Sequence, residues 1–307
     1  MSLYLVTGGA GFIGSHIVEA LVARGDQVRV LDNLSTGRLD NLPAGGRQLE
    51  VVEGDIRDEA VVRQAVSGVD LIFHLAAMVS VPQSMVEPAK AELTNTVGTL
   101  NLLTAARAAG VRRLVLSSTC AVYGDEPTLP KTETMQPYPN SPYAISKLAA
   151  EHYCQLFQTS FGLETVVLRY FNIFGPRQDP TSPYSGVISI FVQKMSQGLA
   201  PTIFGDGQQS RDFVFVTDIA RANLLAAEVP AAAGQIFNIG TGRQVTIIQL
   251  FEKLGQIFNC DFKPTYQPTR PGDVKHSYAD STQAKAILGW QAQVDLEAGL
   301  RQLVERL

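Results

Sequence analysis

The sequence predicts an α/β fold, a doubly wound parallel sheet with a smaller, mixed α/β second half, and three observations predict it. Short apolar, β-branched runs recur through the first half: LYLVTG, QVRVLDN, LEVVEGD, LIFHLAA, RLVLSST and ETVVLRYFN. Amphipathic, alanine-rich segments such as GSHIVEALVARG and TVGTLNLLTAARAAG separate most of them. A glycine-rich segment, VTGGAGFIGSH, joins the first apolar run to the first helical pattern. Strands that are apolar throughout are buried on both faces, and that requires helices on both sides of a parallel sheet.

The 307 residues suffice for one large unit or two closely joined ones. With 45% hydrophobic and 18% charged residues, a large core can be buried. A net charge of −4 without a basic run argues against nucleic acid as a partner. No apolar stretch reaches membrane-spanning length, and MSLYLVTGG enters a strand directly, so neither a membrane segment nor a signal peptide is expected. Cys120, Cys154 and Cys260 are odd in number and scattered, which supports neither a disulfide framework nor a zinc site; a reducing cytoplasm is expected, and no metal.

After about residue 175 the strand–helix rhythm breaks. Loops rich in Pro, Gly, Asp and Ser appear, GPRQDPTSPYSG, FGDGQQSRD and PTRPGDVKHS among them, with short strands at PTIFG, FVFV and QIFNIG. Residues 1–174 are therefore read as a dinucleotide-binding half. Residues 175–307 are read as a smaller substrate-binding half, some of whose segments interleave with the first.

The glycine segment carries Gly8, Gly9, Gly11 and Gly14, with Phe12 and Ile13 opening the helix. Glycines let the backbone approach a pyrophosphate, and the free N–H groups of the helix start receive it. Asp32, followed by Asn33, ends the next strand, 18 positions past Gly14. An acid there accepts from ribose hydroxyls and repels a 2′-phosphate, so a Rossmann half that binds NAD rather than NADP is expected. Asp55 and Ile56 end the third strand, where they could hold adenine; Leu75, Ala76 and Ala77 give small side chains after the fourth.

SPYAISK places Tyr143 one helical turn before Lys147, on one face. A free phenol has a pKa of about 10 and needs about 4 kcal/mol to reach neutrality. One unit charge about 4 Å away supplies on the order of 4 kcal/mol at an effective dielectric of 20. Lys147 is thus expected to lower the Tyr143 pKa and to hold a nicotinamide ribose, the charge of an oxidised cofactor adding to the effect. Thr119, with Ser117 and Ser118 at the end of the fifth strand, could relay a proton or bond a substrate hydroxyl; it could also cap the following turn.

GxxGxxG, a strand-end Ser/Thr and YxxxK together resemble the extended short-chain dehydrogenase/reductases, over nearly the whole chain. RYFNIFGPRQDP, GDGQQSRDFVFVTDIA, FNIGTG and RPGDVKHSYAD resemble the NAD-dependent UDP-hexose 4-epimerases of that group. The resemblance implies a bound NAD, transient oxidation to a 4-keto sugar and hydride return to its other face. It implies NAD contacts at Asn95, Ser117, Lys147 and Tyr170. It implies UDP-sugar contacts at Asn172, Val187, Thr202, Phe204, Arg211, Arg270 and Asp273, and a homodimer through a four-helix bundle of residues 95–109 and 143–160. Arg211 and Arg270 suit diphosphate oxygens, Asp273 ribose hydroxyls, and Phe204 offers a face for a base.

Related dehydratases carry an acid pair after the strand-end threonine, and decarboxylases a glutamate in the same turn; here the chain reads Cys120 and Ala121. Epimerisation needs only the tyrosine and the hydride. The resemblance puts Ser277 beside the 2-substituent of the hexose, a position that is tyrosine in epimerases restricted to glucose and galactose. A serine there leaves room for an acetamido group, and UDP-N-acetylglucosamine is expected as a substrate alongside UDP-glucose. A UDP-glucuronate epimerase, a dehydratase or dehydrogenase and a non-catalytic NAD sensor are the alternatives.

Overall fold

The computed structural model describes residues 2–44, 46–179, 186–269 and 274–305. Its core is a seven-stranded sheet. β1 (Leu3–Thr7), β2 (Gln27–Asp32), β3 (Leu49–Glu53), β4 (Leu71–His74), β5 (Arg113–Thr119) and β6 (Glu164–Tyr170) supply six strands, and Ile236–Ile239 the seventh. The order is Ile236–Ile239, β6, β5, β4, β1, β2, β3, with every pair parallel. The order reverses at β1, and at such a switch point the strand ends open a crevice for a dinucleotide.

Each face of the sheet has its own apolar core. Val6, Val30, Phe73 and Val115 face the Phe12–Ala23 helix and the Val216–Glu228 helix. Leu5, Leu31, Ile72 and Leu114 face the Glu59–Val66, Gly98–Ala109 and Pro142–Phe161 helices. A third cluster, with Phe174, Phe191, Phe213, Phe215 and Leu250, holds the second half together. Arg113, buried at the start of β5, donates to the carbonyls of Ala226, Ala227 and Val229 at 2.9, 3.2 and 2.7 Å. A cation at a helix C-terminus satisfies orphan carbonyls and the helix dipole together.

Two elements differ from the sequence reading. ETVVLRYFN is not one strand: β6 stops at Tyr170, and Asn172–Phe174 pairs instead with Phe213–Phe215. Phe171 turns the chain between the two sheets while its N–H donates to Ile239 O at 3.1 Å. QIFNIG was read as part of the second half, yet Ile236–Ile239 lies beside β6 in the central sheet. Buried on both faces, it has the strand composition of the first half.

Candidate active site

The glycine loop leaves β1 at Gly8, which is left-handed at φ +69°. A side chain on Gly8 would sit 2.7 Å from the Ala76 N, and one on Gly14 would sit 2.2 Å from the Gly8 carbonyl oxygen. Gly8 is thus required by the backbone that follows β4, and Gly14 by the glycine loop passing over the Phe12–Ala23 helix start. Asp32 closes the loop from the side. It is 7% exposed, and its carboxylate accepts from Ala10 N and Leu34 N, each at 2.9 Å. Loop, helix start and acid form the cradle a dinucleotide diphosphate and ribose need.

Asn33 donates to Asp55 at 2.9 Å, and Arg57 grips the same carboxylate through Nε and Nη2 at 2.9 and 2.8 Å. Arg57 thereby holds the Asp55 carboxyl well below the usual carboxylate range. Ile56 is buried against Gly98, on which a side chain would strike its Cδ1 at 2.6 Å. Leu75, Ala76 and Ala77 follow β4 beside Gly8.

On the same, carboxyl side of the parallel sheet the Pro142–Phe161 helix begins at Ser141, whose hydroxyl accepts from Ala144 N at 3.2 Å. Proline at the first helical position fixes the entry. Tyr143 and Lys147 therefore project from the first two turns. The Tyr143 N–H donates to Ser84 Oγ at 3.1 Å, which moors the helix start to the Val81–Val86 helix. The Thr119 hydroxyl lies against the Tyr143 phenol and accepts from Ala121 N at 3.1 Å, so it caps its own turn.

The electrostatics correct one expectation. Lys147 was expected to bring the Tyr143 phenol toward neutrality. Burial instead pushes Tyr143 up to about 12, with the Thr119 hydrogen bond opposing. Lys147 is 4% exposed, and burial brings its ammonium down to about 8 against the opposing charge of Glu151. The low-dielectric setting disfavours the charged form of each, the phenolate of Tyr143 and the ammonium of Lys147. Among the described residues the Lys147 ammonium has no hydrogen-bond partner, so its donors are available to a ribose.

Asn95 is buried, with its amide engaged by the Met78 backbone at 2.8 and 3.0 Å and by Ser146 Oγ at 3.0 Å. It ties the segment after β4 to the Tyr143 helix. The Tyr170 hydroxyl turns inward to Ser117 Oγ at 2.9 Å and to Asn223 Nδ2 at 2.8 Å. Its backbone and ring, not its hydroxyl, are what Tyr170 can present to a ligand.

On the substrate side, Arg211 ends a two-residue strand and donates to Ser210 O at 2.8 Å. The Ser277 side chain lies against the Cys120 thiol, which is near both Tyr143 and Arg211. Tyr278 lines a different cavity, of about 460 Å³, with Trp290 and Thr241. Asn172 starts its short strand, Val187 opens the Val187–Ser196 helix, and Phe204 ends the Thr202–Phe204 strand. Thr202 Oγ1 and Thr265 Oγ1 are 2.9 Å apart. Arg270 and Asp273 lie outside the described residues.

Sequence reasoning missed several supports. His74 is buried between Thr7 Oγ1 and Thr99 Oγ1 at 2.7 and 2.9 Å, and burial brings it down to about 3, so it is neutral beneath the site. Asp212 accepts from Thr241 N, Gly242 N and Ala279 N at 2.8, 2.9 and 3.1 Å, and joins the segments that carry Arg211 and Ser277. Glu151 repeats the spacing from Tyr143 to Lys147 once more, and that phase was legible. Among the described residues no group of three or more His, Cys, Asp or Glu could hold a metal ion, and no helix is long and apolar enough to cross a membrane.

A switch-point crevice, a glycine loop closed by an acid, and a Tyr–Lys pair beside a strand-end threonine define a dinucleotide-dependent enzyme of the extended short-chain dehydrogenase/reductase class. Residues 4–240 match the model of the NAD dependent epimerase/dehydratase family, and the chain belongs to that family. NAD is its cofactor. The chain is 41% identical over 305 residues to a UDP-glucose 4-epimerase of Mycolicibacterium smegmatis, covering 98% of this chain and 97% of that one. It is similar to the UDP-glucose 4-epimerase of Thermotoga maritima solved with UDP-glucose, at TM-score 0.94 and 45% identity, over 99% of this chain and 97% of that one. It is equally similar to a UDP-N-acetylglucosamine 4-epimerase from Methanobrevibacter ruminantium in complex with UDP-N-acetylmuramic acid, at TM-score 0.95 and 40% identity over 99% and 97%.

Proposed function

We propose that the protein is an NAD-dependent UDP-hexose 4-epimerase that acts on UDP-N-acetylglucosamine/UDP-N-acetylgalactosamine and on UDP-glucose/UDP-galactose. The observation that carries this reading is the buried Tyr143 phenol against Thr119, with buried Lys147 one turn on along the same helix, in a chain among whose relatives are UDP-sugar 4-epimerases. Tyr143 takes the proton of the sugar 4-hydroxyl, with Thr119 as relay, and Lys147 holds the nicotinamide ribose. Bound there, NAD would supply the acceptor for the C4 hydride and its return to the opposite face, and its positive nicotinamide would favour the Tyr143 phenolate. Gly8, Gly11, Phe12, Ile13, Gly14 and Asp32 cradle its adenosine half, with Asn33, Asp55 and Ile56 around the adenine.

Arg211, with Arg270, is assigned to the sugar-nucleotide diphosphate. Asp273 is assigned to the ribose, and Asn172, Val187, Thr202 and Phe204 to the nucleotide pocket. The turn after Thr119 offers no carboxylate for elimination or decarboxylation. Burial pushes the Cys120 thiol up to about 11, so it is protonated and cannot substitute for one. Ser277, against Cys120, supports an open pocket beside the 2-substituent.

In this reading residues 1–174 bind NAD and 175–307 the sugar nucleotide, with Ile236–Ile239 interleaved. Exposed Leu93, Val97, Ile145 and Leu156 on the segments that flank the site support a homodimer across these helices. The unpaired cysteines are in keeping with a cytoplasmic enzyme. Incubation with UDP-glucose, UDP-N-acetylglucosamine and UDP-glucuronate, each analysed for its 4-epimer, tests the reading. Epimers of the first two are expected; turnover of UDP-glucuronate alone, or of none, contradicts it.

A further inference from the structure

Beneath Tyr143 and Lys147 lies a buried ion pair that none of the roles above uses. Glu151, 1% exposed, meets Arg169 of β6, 3% exposed, with Nη2 to Oε2 at 2.7 Å. Arg169 Nε lies 3.1 and 3.2 Å from the two carboxylate oxygens. The Ser118 hydroxyl donates to the same carboxylate. Arg169 Nη1 donates onward to the Tyr123 hydroxyl at 3.0 Å, with its guanidinium 4.9 Å from that ring's centre.

The partners' neighbours in sequence matter. Ser118 stands between Ser117 and Thr119, and Arg169 precedes Tyr170. One carboxylate therefore joins the three elements that carry Tyr143 and Lys147, Thr119, and Tyr170. Tyr143, Lys147 and Glu151 follow one another at successive turns, so all three share one stripe of the helix. A buried ion pair is a poor device for stability alone, because desolvation cancels most of its attraction and apolar residues of similar size serve as well. It does single out one arrangement, since a helix displaced along the sheet leaves both charges buried and unpaired.

We propose that Glu151 is a positioning residue for the epimerase reaction: through Ser118 and Arg169 it sets Tyr143 and Lys147 against the ends of β5 and β6. The inference rests on the reading of Tyr143 as base and Lys147 as holder of the cofactor. The titratable groups around Lys147 are Tyr143, Glu151 and Cys154 on its own helix, His74 on β4, Arg169 on β6 and Cys120 after β5. The helices packed alongside add Glu87, Lys90, Glu92 and Arg107, all exposed. His74 is neutral, and Glu151 is the carboxylate that opposes the burial of Lys147.

Glu151→Gln and Ser118→Ala, prepared as holoenzymes, test the proposal. Glu151→Gln is expected to lose about tenfold or more in kcat, with KM for the sugar nucleotide little changed. Its alkaline limb should move to lower pH by about one unit or more, because the opposing charge is gone, and less NAD should remain in the denatured extract. Ser118→Ala keeps the charge and the fold; kcat should fall about threefold or more with the alkaline limb in place. Wild-type kcat in Ser118→Ala, or a wild-type pH profile and NAD content in folded Glu151→Gln, overturns the proposal. Full turnover in Tyr143→Phe would instead overturn the underlying reading of the site.

Discussion

Asp32 holds the backbone N–H of Ala10 at 2.9 Å, so the acid at the end of β2 is also a strut for the glycine loop. Its second oxygen holds Leu34 N at the same distance. One carboxylate thus fixes the loop that is proposed to hold the NAD adenosine. A charge-assisted hydrogen bond contributes about 1.5–3 kcal/mol, so Asp32→Ala should reduce NAD affinity by tenfold or more on that scale. It should also narrow the discrimination against NADP. Titration of cofactor-stripped protein with NAD and NADP measures both; unchanged preference would remove Asp32 from cofactor selection.

Gly14 tests the cradle by size alone. A methyl group there meets the Gly8 carbonyl oxygen at 2.2 Å, against backbone that cannot yield as a flexible side chain does. Gly14→Ala should purify with little or no NAD and with a lowered Tm, whereas Gly110→Ala, where a Cβ meets nothing within 4 Å but φ is +71°, should lower Tm yet keep its NAD. The nucleotide content of the denatured extracts decides it.

Tyr143→Phe keeps the ring and removes the proton acceptor. Turnover should fall about 10²–10⁴-fold, equal to about 3–5 kcal/mol in barrier, with sugar-nucleotide binding kept. Lys147→Ala should lower both turnover and retained NAD. Steady-state rates with binding measured in parallel check the split, and near-normal turnover in Tyr143→Phe excludes it as the base.

The pH dependence follows from Lys147. Burial brings its ammonium down from the usual lysine range to about 8, so the charged form is complete well below that pH and is lost as pH rises through it. Turnover and NAD retention should both decline above about pH 8. A flat profile to pH 10 would mean that the charge on Lys147 is not needed.

Ser277 carries the substrate prediction. Its hydroxyl rests on Cys120, next to Tyr143, while Tyr278 lines the cavity on the other side of the same segment. Ser277→Tyr should abolish turnover of UDP-N-acetylglucosamine and spare UDP-glucose, because specificity here works by exclusion. Equal loss of both activities, or of neither, would place the acetamido pocket elsewhere.

Much of this site was legible because its requirements are local. Gly8 and Gly14 are glycines because backbone passes within contact distance of them, and Tyr143 and Lys147 share a face because one helical turn separates them. The supports were harder to read. Glu151 finds Arg169 18 residues on and Ser118 33 residues back, and Asp212 gathers Thr241, Gly242 and Ala279. The phase of Glu151 on its helix is legible, but a linear pattern does not name the distant partners that such buried carboxylates meet. The effect of burial on Tyr143 was misjudged for the same reason: an exposed-pair estimate counts the charge on Lys147 and omits the desolvation that pushes the phenol up to about 12. The strand Ile236–Ile239 was read into the second half because chain order alone does not reveal that it returns to β6.

In the proposed reaction one hydride leaves C4 and comes back to the same carbon from the other side. UDP-N-acetylglucosamine labelled with deuterium at C4 is the substrate that reads this out. A 4-epimer that keeps its deuterium at C4, with no net NADH formed during turnover, is expected. Loss of the label to solvent, or NADH accumulating in step with substrate consumed, would contradict it.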